Sequence, residues 1–145
     1  GLPLVGNVVV ALLVAATFEA GALAAGALPP AVHFLAGLAL LANVGREVWK
    51  DAEDAEHDAG RTTFAQLAGL DRAHAVARVA TLAAVLLSPL PFLYGFGGWP
   101  FLAVVALADA LFITAALRTK PSQAQRFSKL GMLTALAAFT LGAIA

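Results

Sequence analysis

Long apolar runs interrupted by short polar punctuation set the pattern of this chain. Leu2 to Leu28 is apolar except for Asn7, Thr17 and Glu19. At 1.5 Å per residue it is long enough to cross a hydrocarbon layer of about 30 Å. Pro29-Pro30 stops it and starts a second apolar run, Ala31 to about Val44, because proline ends a helix but suits the first turn of the next. Ala73 to Leu87, Phe101 to Leu117 and Phe127 to Ala145 make three more spans, holding the polar residues Arg78, Asp109 and Thr114, among others. Ser88, Pro89 and Pro91 close the third span before the Gly- and aromatic-rich turn Tyr94 to Pro100. Five spans are predicted, with no strand pattern, no repeat and no separate soluble domain. The fold class is an all-α, multi-span membrane helical bundle.

Composition agrees. Of 145 residues, 61% are hydrophobic and 12% charged, and the mean hydropathy of +0.85 is far from a soluble domain, where about a quarter of residues are charged. A net charge of zero carries none of the basic excess of a nucleic-acid binder, so no nucleic-acid partner is expected. The absence of cysteine removes disulfides, thiolate metal sites and thiol nucleophiles. The opening GLPLVGNVVV lacks a charged leader region and a starting Met, so no signal peptide is read and the chain is expected to be cut from something longer.

Charge is confined to two regions. All nine basic residues lie either at Arg46, Lys50, Arg61, Arg72 and Arg78 or at Arg118, Lys120, Arg126 and Lys129, while the turns at Pro29-Pro30 and Tyr94 to Pro100 have none. With five alternating spans both basic regions fall on one side, expected to be cytoplasmic because positive residues are retained there. Seven of the nine acidic residues lie between Glu47 and Asp71.

The stretch Asn43 to Thr63, NVGREVWKDAEDAEHDAGRTT, is therefore where chemistry is sought. At about 100° per residue Glu47, Asp51, Asp54 and Asp58 share one helix face, and Arg46, Lys50, Glu53 and His57 form a mixed stripe beside it. Neighbouring carboxylates about 5 to 6 Å apart repel by about 3 kcal/mol at an effective dielectric near 20. A divalent cation relieves that repulsion, and an all-oxygen set favours Mg²⁺ over zinc. Solvation of a charged loop is the competing explanation, but acids spaced i, i+3 or i+4 and i+7 keep to one side of a helix. Asp109, mid-span, either faces a cavity or is a neutral or helix-paired structural acid. Glu19 is read as structural, His33 as packed and hydrogen-bonded, and Tyr94, Trp99 and Phe101 as interfacial anchors. Abundant Gly and Ala predict close helix packing.

The segment REVWKDAEDAEHDAGRTTFAQLAG resembles the second aspartate-rich motif of the UbiA superfamily of intramembrane prenyltransferases. Arg46, Glu47, Lys50, Asp51, Asp54, Asp58, Gly60 and Thr63 match its pattern, and GLPLVGNVVVA resembles the entry to that family's fifth helix. His57 and Ala59 depart from it, where a Gly and a basic residue are usual. The resemblance implies a nine-helix enzyme whose fifth to ninth helices correspond to these spans, so residues 1–145 would be its C-terminal part. The earlier helices, with the first aspartate-rich motif, would be the missing partner of this site.

The implied activity is Mg²⁺-dependent transfer of a prenyl group from a prenyl diphosphate, such as geranylgeranyl diphosphate, to an acceptor at the lipid bilayer. Asp51, Asp54 and Asp58 would be metal ligands and, with Lys50, catalytic. Arg46, Lys50 and Arg61 would contact phosphate. Asn43 would support the shell, while Asp109 and Lys120 are further substrate-binding candidates. The acceptor expected from the archaeal branch is a geranylgeranylglyceryl phosphate, with an aromatic quinone or chlorophyll precursor as the alternative. A reading from another class is a transporter that binds cations on its acidic face.

Overall fold

The computed structural model describes residues 3–57 and 62–144, and the side chains of all of these except residues 3, 56 and 57. It contains α1 (Pro3–Ala24), α2 (Pro30–His57), α3 (Phe64–Ala68), α4 (Leu70–Leu87), α5 (Leu90–Leu93), α6 (Gly98–Leu117) and α7 (Pro121–Ile144). Five stretches are long and apolar enough to cross a membrane: Leu4–Ala24, Pro30–Ala55, Leu70–Leu93, Gly98–Leu117 and Pro121–Ile144. The predicted five spans are all there. Prolines open α2 and α7, where the missing N–H is one that no helical partner would have used.

Two boundaries differ from expectation. The second span does not end near Val44; its helix continues through the charged stretch to His57. Hydropathy falls there, but nothing in REVWKDAEDAEH breaks a helix, and its buried positions Val48, Trp49 and Ala52 hold it against its neighbours. The fifth helix likewise begins at Pro121, six residues before the apolar run that announced it.

α2 is the hub, packing against α1, α4 and α7, while α6 packs against α7 and α4. The core falls into three layers along it. One joins Val48, Trp49 and Ala52 to Ala65, Ala73, Ala77 and Ala124. The middle layer is Ala42, Ala84, Ala108 and Phe112. The last is Phe101, Val105, Ala138 and Phe139, flanked by Phe34, Phe92 and Phe96. Alanine dominates because, with lipid as apolar as any side chain, helices associate through close packing. Gly45 shows how close: a Cβ there would lie 2.5 Å from Thr81 Oγ1 and 3.1 Å from the Ala77 carbonyl, so α2 and α4 meet at a position that excludes a side chain.

A hydrogen bond and a shared core layer bring the two charged regions to one end of the bundle. Gln125 Nε2 donates to Glu53 Oε2 at 3.0 Å, and Ala124 of α7 shares a core layer with Trp49. The Pro29-Pro30 and Tyr94 to Pro100 turns meet at the other end, where the Phe34 and Tyr94 rings lie 5.4 Å apart. The expected pairing of the loops therefore holds.

Phe101 corrects an expectation. Tyr94 and Trp99 are 76% and 75% exposed, as interfacial anchors should be, but Phe101 is 0% exposed. It stacks edge-on against Phe96 and Phe139, both at 5.2 Å, because α6 starts at Gly98 and turns that position inward onto α7. His33 also differs in part. It is hydrogen-bonded, with Nδ1 at 2.9 Å from Glu19 Oε1, but it is exposed rather than packed, joining α1 to α2 near the aromatic end.

Candidate functional site

A cavity of about 450 Å³ opens between α1, α2, α4, α6 and α7. Its α2 wall runs from Leu35 through Leu38, Ala39 and Ala42 to Asn43 and Arg46, twelve residues and therefore roughly 16 Å of helix from first to last. Phe112, Met132, Leu136 and Phe139 supply most of the opposite wall, with Lys129 at the charged end. The result is a long apolar hollow with Asn43, Arg46 and Lys129 at one end and two polar residues, Ser88 and Asp109, along its wall.

Local folding explains the polar end. Asn43 is 7% exposed, and its Nδ2 donates to the Ala39 carbonyl at 2.8 Å, which anchors the amide against the helix and leaves its oxygen as an acceptor. Arg46 forms an ion pair with the adjacent Glu47, itself 8% exposed. A buried carboxylate needs such a partner. One turn further, Asp51 Oδ2 accepts from Asn7 Nδ2 at 2.8 Å and from the Phe64 backbone N–H at 3.4 Å. The acidic face thus turns toward α1 and α3, and the mixed stripe of Arg46, Lys50 and Glu53 continues the line of the cavity wall. Part of the carboxylate repulsion expected from the sequence is relieved by protein groups, Arg46 at Glu47 and Asn7 at Asp51.

Thr63, matched to the family pattern, has a visible structural task. It caps α3, its hydroxyl accepting from the Gln66 backbone N–H at 3.2 Å while Gln66 Oε1 accepts from the Thr63 N–H at 3.2 Å, a reciprocal box that starts a helix. This cap holds Phe64 where its N–H reaches Asp51.

The other candidates are placed as follows. Asp54 is half-buried, one turn beyond Lys50, which is exposed. Asp58 and Arg61 lie outside the described residues. Asp109 lines the cavity and accepts from Ser88 Oγ at 2.6 Å. Lys120 is exposed in the α6 to α7 connection and does not line the cavity. Two cavity residues were not singled out from sequence as site residues. Lys129 was legible only as a positive residue near a span, and Ser88 only as part of a Pro-rich break. Pro89 and Pro91 have no N–H to offer the preceding turn. Ser88 compensates with its N–H, which donates to the Val85 carbonyl at 3.3 Å, and its place in the break puts Oγ on Asp109.

In lipid a hollow of this shape suits a long apolar chain that carries an anionic head. The five-span bundle around it defines the class, an integral membrane helical segment. No protein-family profile matches the chain, but individual relatives do. It is 42% identical over 146 residues to the digeranylgeranylglyceryl phosphate synthase of Halobacterium salinarum, across 98% of this chain and 52% of that protein. It is also 42% identical to the enzyme of the same name from Methanopyrus kandleri, across 96% of this chain and 54% of that one. A solved structure from work on the biosynthesis of digeranylgeranylglyceryl phosphate synthase in membranes superposes with a TM-score of 0.86 at 31% identity, covering 97% of this chain and 53% of the other. The chain is similar to these proteins along nearly its whole length, and it spans about half the length of the curated relatives it matches.

Proposed function

We propose that this chain is the C-terminal, diphosphate-binding part of a prenyltransferase that acts on a membrane lipid. The observation that carries the reading is the cavity: about 10 Å of apolar wall along α2, from Leu35 to Ala42, ending at Asn43, Arg46 and Lys129. The acceptor, following the names of the relatives, is a geranylgeranylglyceryl phosphate, and the donor is geranylgeranyl diphosphate. The charged end faces the cytoplasm in this reading.

The chemistry asks the protein to hold an allylic diphosphate while negative charge grows on the leaving group. Arg46 and Lys129 are cations at the cavity end where that group would lie, and charge-assisted bonds to phosphate are among the strong ones. Asn43 is positioned by Ala39 to accept from or orient a neighbouring group. The apolar walls from Ala42 to Leu35 receive the isoprenoid and exclude water from the carbon that is attacked.

Asp51 and Asp54 would hold Mg²⁺, together with Asp58 as the resemblance implies. The donors are all carboxylate oxygens, the kind Mg²⁺ takes, and Mg²⁺ is commonly held by one or two carboxylates plus substrate phosphates; among the described residues no group of three His, Cys, Asp or Glu is placed to hold a metal by itself. When bound, Mg²⁺ supplies neutralisation of the diphosphate charge. Beyond Asn43, Arg46 and Lys129 the cavity is apolar except for Ser88 and Asp109, which disfavours the alternative of an ion pathway.

The test is diphosphate release by the intact protein with geranylgeranyl diphosphate and the glyceryl phosphate acceptor. Release is expected to require Mg²⁺ and to be lost in Asp51→Ala and Asp54→Ala. Normal transfer by both variants would overturn the assignment of this end as the metal-diphosphate site.

A further inference from the structure

A second concavity, of about 310 Å³, lies at the charged end between α6 and α7, lined by Arg118, Gln123, Arg126, Phe127 and Leu130. We propose that it binds the phosphate of a membrane-lipid headgroup, a site distinct from the diphosphate end of the main cavity.

The lining carries two cations and no carboxylate. Arg118 stands at the end of α6, with its guanidinium carbon 4.9 Å from the centre of the Phe127 ring. That stacking fixes the planar fork while leaving its edge donors available. Arg126 comes from the other helix, so the two arginines flank one hollow rather than pointing separately into solvent as simple interfacial anchors would. Polarity then grades along α7: Gln123, Arg126 and Phe127 give way to Leu130 over seven residues, roughly 10 Å of helix. This is the order of a headgroup passing into a tail, and it lies where the membrane-crossing stretches Gly98–Leu117 and Pro121–Ile144 begin and end. Basic pockets between spans are a recurrent way of holding phosphate headgroups.

Its position gives the site a use. At 100° per residue Arg126 and Leu133, seven residues apart, share one line along α7, and Leu133 both lines the main cavity and is exposed. A lipid seated by its phosphate at Arg118 and Arg126 therefore lies beside the wall of the cavity. That the lipid is the phosphate-bearing acceptor rests on the transferase reading; that a phosphate headgroup binds does not.

The intact protein in phosphatidylcholine nanodiscs, with and without a minor fraction of phosphatidic acid, tests both, with retained lipid read by native mass spectrometry. Phosphatidic acid is expected to be retained in preference to phosphatidylcholine. Arg118→Gln with Arg126→Gln should weaken retention about 25-fold, roughly fivefold per charge removed. The double Arg→Lys variant should keep most of the retention, and Arg72→Gln, exposed on α4 and outside the lining, should leave it unchanged. Unchanged retention in the double Gln variant at an unchanged unfolding temperature, or displacement of phosphatidic acid by equimolar inorganic phosphate, would overturn the proposal. Turnover then separates the sources. If the lipid is the acceptor, the double Gln variant raises the acceptor KM and leaves the KM for prenyl diphosphate alone. If it is a bulk anionic lipid, both constants hold while lipid retention is still lost.

Discussion

At one end of the bundle α2, α4 and α7 meet through Trp49, Ala73, Ala77 and Ala124, beneath polar ties from Asn7 to Asp51 and from Gln125 to Glu53. At the other, Phe96, Phe101 and Phe139 stack with ring centres 5.2 to 5.5 Å apart, and Gly97, at φ 77°, leaves no room for a Cβ, which would lie 2.5 Å from Phe101 Cβ. The aromatic end gains rigidity from shape, since its rings need no charge and no hydrogen bond. The charged end packs one large ring, Trp49, among alanines and carries polar side chains above them, which leaves donors and acceptors free to turn toward a ligand. Stability should therefore concentrate at the aromatic end and ligand binding at the charged end, with the cavity running between them.

The strongest way to break that contrast is Phe101→Ala. Removing a fully buried ring that touches two others leaves a void the backbone of Gly97 and Gly142 cannot fill, at a cost of about 3 to 5 kcal/mol. The unfolding temperature of the protein in micelles should fall by many degrees, while the KM for prenyl diphosphate, measured on the folded fraction, should hold. Lys129→Gln is the mirror image. Lys129 is exposed and no ion pair ties it to a described residue, so stability should change by less than about 0.5 kcal/mol. Diphosphate binding, which loses a charge-assisted bond, should weaken by about 1.5 to 3 kcal/mol, roughly 10- to 100-fold in KM. A stability loss with normal KM would mean that Lys129 is a structural group and that the polar end of the cavity belongs to Arg46 alone.

How much of this was legible beforehand follows from how local each determinant is. The five spans depend on runs of apolar residues and on the prolines that punctuate them, and both are local. The acidic and mixed stripes of α2 were also legible, because helical spacing is local. Their surroundings were not. Asp51 is satisfied by Asn7, 44 positions away, and Lys129 meets Arg46 at the cavity only because α7 packs along α2. Phe101 was misread for the same reason: a Phe beside Trp99 and Pro100 looks interfacial until α7 places Ala138 and Phe139 over it. Ser88 was hidden inside a break whose purpose shows only where Asp109 stands opposite.

Asn7→Ala probes the charged end more gently. It deletes the tie between α1 and α2 and leaves Asp51 with the longer bond from the Phe64 N–H, so a loss of about 1 kcal/mol is expected. If the tie also positions Asp51 for a cation, the Mg²⁺ concentration for half-maximal activity should rise in the same variant, while Asn7→Asp, which puts a second carboxylate beside Asp51, should lower it. A shift in stability without a shift in Mg²⁺ demand would make this bond purely a helix clasp.

The smallest effect is expected from Trp99→Ala, at the rim of the aromatic end. Trp99 lies next to Phe92, with ring centres 5.3 Å apart, but three quarters of its surface is open, so little packing is lost and the change should stay within about 0.5 kcal/mol in micelles. In a bilayer the ring's natural place is the headgroup region, so whatever it contributes should surface there and not in detergent. Comparing the unfolding temperature of Trp99→Ala in micelles and in nanodiscs thus separates two sources of order at one end of the molecule. Equal shifts in both media would mean that Trp99 acts through Phe92, as a member of the aromatic stack. A shift confined to nanodiscs would mean that the stack ends at Phe101 and that Trp99 belongs to the membrane surface.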